Sequence, residues 1–238
     1  MQGVAGARVD LNADLGEEVT DDAGLLAVVT SANVACGFHA GTRATMHAVC
    51  AGAVRRGVAV GAQVSYDDRE SFGRVPLDVP GDVLREQVAE QVGALSAIAA
   101  AEGARVAYLK PHGALYHRVA SDEAQATAVL DGSGDLPVLG MPGSLLLALA
   151  ADRGRGIRLE GFPDRGYTAD GTLVPRDRPG ALVTDPDEVA ARAVALASTV
   201  DSVCVHGDSP GAVTTARAVR RALEAAGLDV ASCWSSTP

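Results

Sequence analysis

The sequence predicts an α/β protein whose strands close, or nearly close, into a (β/α) barrel. Short β-branched runs alternate with longer Ala-rich stretches along the 238 residues, a pattern typical of parallel strands joined by right-handed helical crossovers. Hydrophobic residues make up 47% of the chain and aromatic residues only 3%, so Ala, Val and Leu must build the interior. Seven or eight strand–helix units fit a barrel better than an open sheet, although a doubly wound sheet is the alternative. We expect one domain spanning residues 1–238.

The strands are predicted from short β-branched or apolar runs bounded by turn residues. The eighth run is short and is expected to lie at an edge. In chain order the predicted strands are residues 8–12, 31–35, 58–62, 106–109, 136–140, 157–161, 202–205 and 228–231.

Helices are predicted between the strands. Gly57 follows one of them directly, in the position where a left-handed C-cap is common. The predicted helices are residues 21–29 with Thr20 or Asp21 as N-cap, 42–56, 82–102, a helix capped by Ser121, 143–153, 187–199 and 210–226.

Two segments are predicted to be irregular. Residues 66–80 are polar, and residues 162–184 are rich in Gly, Pro, Asp and Arg. A loop as long as the second one is usually functional, and Asp170-Gly171 within it indicates a hairpin turn.

Charge and cysteine content narrow the functional class. The net charge of −10 disfavours nucleic acid and anionic membranes as partners. Cys36, Cys50, Cys204 and Cys233 form no CxxC pair, so we expect reduced thiols. The first four residues show no signal peptide, and no run of about 18 apolar residues predicts a membrane span, so a cytoplasmic protein is expected.

Chemically reactive residues follow the predicted strands. In a parallel α/β fold the loops after the strands face one common mouth. His39, His112 and His206 all stand at such exits, and Lys110, the single lysine of the chain, stands at the same exit as His112. A position that keeps lysine in an Arg-rich chain is one where a compact point charge is needed.

Each of these residues also has a structural interpretation, as a helix cap, a turn residue or a local ion pair, but their joint placement favours a site. The candidate catalytic residues are Asp14, His39, Lys110, His112, His206 and Asp208. The candidate substrate-binding residues are Asn12, Glu17, Gln63, Tyr66, Arg165, Tyr167 and Arg176. His47 and His117 are interpreted as surface or packing residues.

The same stretches resemble the LamB/YcsF family, understood as the A subunit of 5-oxoprolinase. They run in family order from Asp10 to about Ala225, and several exceed five residues. The matching stretches are Asp10-Leu11-Asn12 with Asp14 and Glu17, residues 31–41 (SANVACGFHAG), Gly61-Ala62 with Tyr66 and Asp68, Phe72-Gly73-Arg74, residues 110–116 (KPHGALY), Asp164-Arg165 with Tyr167, residues 170–176 (DGTLVPR) and residues 205–211 (VHGDSPG).

The resemblance implies a distorted, TIM-like (β/α)7 barrel related to glycoside hydrolases and deacetylases. It also implies work with the B and C subunits of 5-oxoprolinase, in which hydrolysis of 5-oxoproline (pyroglutamate) to L-glutamate is coupled to ATP as co-substrate. The chain itself carries neither a dinucleotide-binding glycine fingerprint after the first strand nor a Walker loop.

The chain departs from the family at Gln63-Val64-Ser65, where His-Pro-Gly is usual, and its loop after Glu17 is shorter. Related deacetylase barrels hold a divalent metal with one Asp and two His. Here Asp14 and His39 would be joined by the weak amide ligand Gln63, so a tight metal site is not expected.

The residues also suggest a mechanism. Activation of the lactam oxygen by phosphorylation would leave a species that water attacks, with His39, His112 or His206 as the general base. Asp208 or Asp14 would orient that histidine, and Lys110 and Arg165 would bind a carboxylate or phosphate. The alternatives are a metal-dependent deacetylase or amidohydrolase with the same barrel and a non-catalytic subunit that binds a small amide.

Overall fold

The computed structural model describes residues 7–19, 21–208 and 211–234. Within them eight parallel strands follow one another: β1 Arg8–Leu15, β2 Ser31–Ala35, β3 Ala59–Val64, β4 Val106–Pro111, β5 Val138–Gly140, β6 Ile157–Gly161, β7 Ser202–Val205 and β8 Asp229–Val230. Neighbouring strands pair from β2 through β7, and β1 pairs with both β7 and β2. The first seven strands therefore form a closed TIM-like barrel. The short β8 pairs only with the first two residues of β1, in the edge position predicted.

Helices separate the strands: α1 Asp22–Leu26, α2 Arg43–Arg56, α3 Gly81–Ala101, α4 Gly113–Arg118, α5 Glu123–Gly132, α6 Leu145–Asp152, α7 Pro186–Leu196 and α8 Ala212–Ala225. The ends of α2 agree with the sequence prediction, because Thr42 accepts a hydrogen bond from Thr45 N and Gly57 is left-handed at the C-cap. The candidate cap Thr20, the predicted first residue of the last helix, Pro210, and residues 1–4 lie outside the described residues.

The bounds of several elements differ from the prediction: β1 extends to Leu15, β3 runs from Ala59 to Val64, and β5 is only Val138–Gly140. Strand β4 continues to Pro111 because Lys110 and Pro111 pair with Gln63 and Val64 of β3. The short helix α4, which was not predicted, begins directly after this longer strand. The following helix is capped by Asp122, whose carboxylate accepts from Gln125 N, and not by Ser121 as predicted.

The first strand shows how the barrel separates its two faces. Leu11, Ala13 and Leu15 are fully buried in the hydrophobic core that the helices cover. Asp10 and Asn12, which alternate with them, are fully buried as well, yet they bond to side chains of the neighbouring strands β2 and β7. Because residues alternate between the faces of a strand, the outer face is apolar and the interior of the barrel is polar.

The N-terminal end of the barrel is held by a buried carboxylate. Asp10 Oδ1 accepts hydrogen bonds from Thr30 Oγ1 and Ser31 Oγ, both at 2.6 Å, and its Oδ2 accepts one from Ser202 Oγ. Burial raises the pKa of Asp10, and the three hydroxyl donors oppose that shift. The segment after β8 crosses this end, where the Trp234 ring stacks on Tyr108 at 4.2 Å.

Two further sequence predictions concern membrane-spanning segments and the cysteines. Among the described residues no helix is both long and apolar enough to cross a membrane. The four cysteines are free thiols, as predicted.

Candidate functional site

A cavity of about 830 Å³ opens at the C-terminal ends of the strands. Its lining includes eight of the predicted site residues, which come from distant parts of the chain: Asp14, Glu17, Lys110, His112, Arg165, Arg176, His206 and Asp208. They meet because parallel strands deliver their C-terminal ends to one side of a barrel. Their chemical roles stay predictions.

Lys110 forms the floor of the cavity. Its Nζ lies 2.9 Å from Glu160 Oε2 and 3.4 Å from Asp14 Oδ1, and it also contacts Asn12 Oδ1 at 3.4 Å and Cys204 Sγ at 3.2 Å. Burial by itself favours the neutral amine, but the nearby carboxylates outweigh it and raise the pKa of Lys110 well above its usual value. Lys110 is therefore a permanent cation at the cavity floor.

Asp14 is the complementary anion. Burial opposes ionisation, but the interaction with Lys110 and then that with His206 outweigh it, so the pKa of Asp14 is lowered. Asn33 fixes the carboxylate by donating to Asp14 Oδ1 at 2.8 Å, and Tyr108 donates to Asn33 Oδ1 at 2.6 Å. The polar interior thus holds Asp14 in place from below.

His206, which follows β7, and Asp164, which follows β6, form a hydrogen-bonded pair in the wall next to Asp14. His206 Nδ1 lies 2.9 Å from Asp164 Oδ2, and the backbone N–H of His206 donates to the same oxygen at 3.0 Å. Burial would raise the pKa of Asp164, but the interactions with His206 outweigh burial and lower it. Phe162 stacks on the His206 ring, with centroids 5.3 Å apart, and its ring centroid is 5.3 Å from Lys110 Nζ.

The contact with Asp164 fixes the tautomer of His206. An ionised carboxylate only accepts, so Nδ1 carries the proton and Nε2 keeps a lone pair in the neutral ring. Asp164 was not among the predicted site residues, and Asp208 or Asp14 was expected to orient the histidine. The structure corrects this, because the carboxylate within hydrogen-bonding distance of His206 belongs to the loop after β6.

A second histidine cluster lies beside the floor of the cavity. The His39 and His112 rings stack at 3.9 Å, and Glu17 Oε1 lies 3.5 Å from His39 Nε2 and 3.6 Å from His112 Nδ1. Gln63 Nε2 stands between them, 3.0 Å from Glu17 Oε1 and 2.9 Å from His112 Nδ1. His112 Nε2 lies 3.1 Å from the Phe72 carbonyl, a group that only accepts. His112 therefore carries its proton on Nε2 and turns the Nδ1 lone pair toward Glu17 and Gln63.

The ionisation of this cluster follows from its burial. Burial raises the pKa of Glu17, although His39 opposes the shift. Burial and then the neighbouring His39 lower the pKa of His112 well below its usual value. Asp14, expected to be the carboxylate of any metal site, is instead paired with Lys110, so the candidate donor set in the structure is Glu17, His39 and His112.

Arginines surround the mouth of the cavity. Asp208 pairs with Arg74 and, at 3.4 Å, with Arg176. Arg165 donates to the Ala181 and Val174 carbonyls at 3.1 and 2.7 Å, so its guanidinium ties together the long loop that covers the cavity. This loop contains the predicted hairpin, in which Tyr167 pairs with Leu173.

Some predicted residues stand outside the lining. Asn12, Gln63 and His39 are fully buried beneath it. Tyr66 is buried as well and donates to Gln125 Oε1 of α5 at 2.9 Å, while the Tyr167 hydroxyl accepts from Phe162 N at 2.8 Å. The two tyrosines therefore support the loops around the cavity.

His117 is exposed, as expected for a surface residue, and it also contributes to the lining of the cavity from the short helix α4. Desolvation by the surrounding protein, and then Arg165 and Arg176, lower its pKa. His47, by contrast, does not line the cavity, as expected. Its Nδ1 lies 2.7 Å from Glu102 Oε1.

Sequence reasoning gave no role to four residues that complete the site: Asn33, Arg74, Glu160 and Asp164. For two of them, Glu160 and Asp164, the sequence contains a feature that could have identified them. Glu160 is a charged residue inside a predicted strand, where charge is rare unless it faces a polar interior. Asp164 stands in the loop after β6, in the same kind of position as His39, Lys110 and His206.

Comparison with known proteins gives a consistent result. A sequence model described as the LamB/YcsF family matches residues 9–237. The 5-oxoprolinase A subunit of Streptomyces avermitilis is 56% identical, over 94% of this chain and 99% of that protein. The 5-oxoprolinase A subunit of Mycobacterium avium is 49% identical, over 94% of this chain and 98% of that protein.

Solved structures extend the likeness to the fold. The lactam utilization protein of Thermus thermophilus superposes with a TM-score of 0.88 and 37% identity, over 94% of this chain and 99% of that chain. A family 4 carbohydrate esterase of Streptomyces lividans superposes with a TM-score of 0.51 at 11% identity, over 95% of this chain and 93% of that chain, which shows a shared barrel fold only.

Proposed function

Because the chain belongs to the LamB/YcsF family, we propose that it is the A subunit of a multi-subunit 5-oxoprolinase, a hydrolase that opens the lactam ring of 5-oxoproline to give L-glutamate. The relatives named as 5-oxoprolinase A subunits match it over nearly the whole length of both chains, and a lactam utilization protein shares its fold. The B and C subunits are the proposed partners, and ATP is the proposed co-substrate.

One observation carries the chemical part of the proposal. A histidine with an available Nε2, oriented by Asp164, faces the same cavity as the permanent cation Lys110. A base and a fixed positive charge on one cavity are what water attack on an activated amide requires, because negative charge develops on oxygen as water loses a proton.

In the proposed reaction the lactam oxygen takes the terminal phosphoryl group of ATP and ADP leaves. His206 removes a proton from a water molecule that adds to the resulting imidate carbon. The ring C–N bond then breaks as nitrogen takes up a proton, and the acyl phosphate so formed is hydrolysed to glutamate and phosphate by a second water molecule. Lys110 stabilises the developing negative charge, and Arg176 at the mouth binds the substrate's anionic group.

The phosphoryl transfer step is assigned to the partner subunits. This chain carries no Walker loop. We therefore propose that its own part is the hydrolytic half of the reaction.

The test is a mixture of this chain with the B and C subunits of a family member, 5-oxoproline and ATP, in which glutamate and phosphate are measured. We expect glutamate only when all three proteins are present, and a Lys110→Met chain should give little. Glutamate release that is unchanged by Lys110→Met would remove Lys110 from the mechanism. Tight 5-oxoproline binding by calorimetry without any glutamate release would instead favour a non-catalytic, amide-binding role.

A further inference from the structure

The cluster beside the cavity floor contains buried polar atoms that lack partners. Neither ring nitrogen of His39 makes a hydrogen bond within the described structure, and the Gln63 Oε1 atom is also unbonded. His39 and Gln63 are both fully buried. Unpaired buried polar atoms are costly and rare in proteins, so a group of them at one place points to a ligand that satisfies them.

We propose that Glu17, His39 and His112 bind one divalent transition-metal cation, with Gln63 Oε1 as a fourth ligand. This inference does not rest on the proposed function. It also differs from the Asp14, His39 and Gln63 set considered for this barrel, because Asp14 is paired with Lys110.

The spacing of the donors fits such an ion. Glu17 Oε1 lies 3.5 Å from His39 Nε2 and 3.6 Å from His112 Nδ1, and the three ligand atoms all lie within 4.8 Å of one another. A tetrahedral Zn²⁺ with bonds of about 2.0–2.1 Å separates its ligand atoms by about 3.3 Å. The donor atoms are therefore close enough for one ion, and the His39 and His112 rings, which are stacked at an interplanar angle of 12°, must splay apart before both lone pairs point at it.

The surroundings of His112 favour metal binding. Its Nε2–H is directed at the Phe72 carbonyl, which leaves the Nδ1 lone pair facing the cluster. Metal-binding histidines are commonly oriented by a carbonyl on the second ring nitrogen. The Phe72 backbone takes the unusual φ of 58° to present this carbonyl, and its ring stands edge-on to both His39 and His112.

Gln63 bridges two acceptors of the cluster. Its Nε2 donates one hydrogen bond to Glu17 Oε1 and one to His112 Nδ1. These two acceptor atoms are also proposed ligands of the cation, so the amide N–H groups and the cation compete for them. Rotation of the amide by half a turn would place Oε1 toward those acceptors, an arrangement that is repulsive unless a cation lies between them.

The donor chemistry selects the class of cation. Two imidazoles, one carboxylate and an amide oxygen suit Zn²⁺ and its neighbours Co²⁺ and Ni²⁺, whereas Mg²⁺ and Ca²⁺ prefer ligand sets made of oxygen. The ion has a route in, because Glu17 and His112 line the open cavity.

The experiment uses the full chain, stripped with a chelator and titrated with Zn²⁺ and Mg²⁺ by calorimetry, with bound metal counted by mass spectrometry. We expect one Zn²⁺ per chain and binding of Mg²⁺ that is at least about 100-fold weaker. Glu17→Gln and His39→Asn should each weaken Zn²⁺ binding by about tenfold or more. The control is His47→Asn, a surface histidine paired with Glu102, which should bind like the unaltered chain.

Absence of stoichiometric Zn²⁺ binding, or equal affinity in Glu17→Gln and the unaltered chain, would overturn the proposal. Because a buried substitution can prevent folding, histidine ring-proton NMR of the unaltered chain gives a second readout. Zn²⁺ should shift the signals of His39 and His112, and shifts confined to other histidines would refute the site. For the fourth ligand, Gln63→Leu should lose affinity; a gain would show that the amide competes with the ion and would overturn that assignment.

Discussion

Lys110 Nζ lies 2.9 Å from Glu160 Oε2 inside a closed barrel, and both side chains are almost entirely shielded from water. Lys110 belongs to β4 and Glu160 to β6, the strands on either side of β5, so the pair links neighbouring parts of the interior. A buried ion pair of this kind is stable only while both charges are present, because the loss of one leaves the other desolvated without compensation.

The first prediction concerns this pair. Lys110→Met leaves Asp14 and Glu160 as buried carboxylates without their cation, so the free energy of unfolding should fall by about 3–5 kcal/mol. Urea unfolding monitored by circular dichroism measures it. Glu160→Gln in the Lys110→Met background should cost less than it does in the unaltered chain, and additive effects would show that the two residues do not interact.

The second prediction concerns the orientation of His206. Asp164→Asn removes the carboxylate that holds Nδ1–H, so kcat for glutamate release by the three-subunit mixture should fall by about 10²-fold or more with a small change in KM. Asp170→Asn, at the exposed turn of the hairpin, is the control. A large loss in Asp208→Asn with none in Asp164→Asn would return the orienting role to Asp208.

The third prediction is a pH dependence. The folded-state pKa of Asp14 is below its ordinary value of 3.8, because Lys110 outweighs the effect of burial. The unfolded chain therefore binds this proton more readily, so the stability that Asp14 contributes is complete above about pH 5 and is lost as the pH falls through and below the ordinary pKa.

Urea unfolding between about pH 6 and pH 3 tests this linkage. The free energy of unfolding should decline more steeply with acid in the unaltered chain than in Asp14→Asn. Asp131→Asn, which alters an exposed pair with Arg153, should leave the slope unchanged. Parallel slopes for all three chains would contradict the shift.

The fourth prediction separates backbone strain from crowding. Gly73 has a φ of 67°, and a Cβ there would lie 2.3 Å from Ser65 Oγ and 2.9 Å from His39 Cβ. Gly143 has a φ of 79° but nothing within 4 Å of a Cβ, so Gly143→Ala is the matched control. Gly143→Ala should cost about 1 kcal/mol, and Gly73→Ala should cost about 1–3 kcal/mol more because of overpacking.

Thermal or urea unfolding measures both glycine variants. Gly73→Ala should also weaken Zn²⁺ binding, since it displaces His39. Equal losses of stability in the two variants would mean that His39 and Ser65 move aside freely.

The fifth prediction concerns the mouth of the cavity. Arg176→Gln removes a guanidinium that faces the substrate space beside Asp208, so KM for 5-oxoproline should rise by about tenfold, the worth of one charge-assisted hydrogen bond. Arg153→Gln, at the surface pair with Asp131, should behave like the unaltered chain. An unchanged KM in Arg176→Gln would place anion binding elsewhere in the cavity.

Much of the architecture was predictable from local patterns. Strands β2, β6 and β7 begin and end at the predicted residues, and the caps Thr42 and Gly57 were identified from their residue types. These features depend on neighbours within a few residues, so the sequence carries them directly. The short helix α4 was missed because β4 is lengthened by pairing with β3, an interaction with a remote segment.

The sequence by itself determined which residues reach the mouth of the barrel, because a residue that follows a parallel strand goes there whatever its partners are. It did not determine the partners. Only the tertiary structure decided that Asp164 holds His206, that Glu160 joins Asp14 at Lys110, and that Gln63 stands between Glu17 and His112. Such contacts form over about 3 Å between strands far apart in the chain, and they are set by the closure and register of the barrel, which no local pattern encodes.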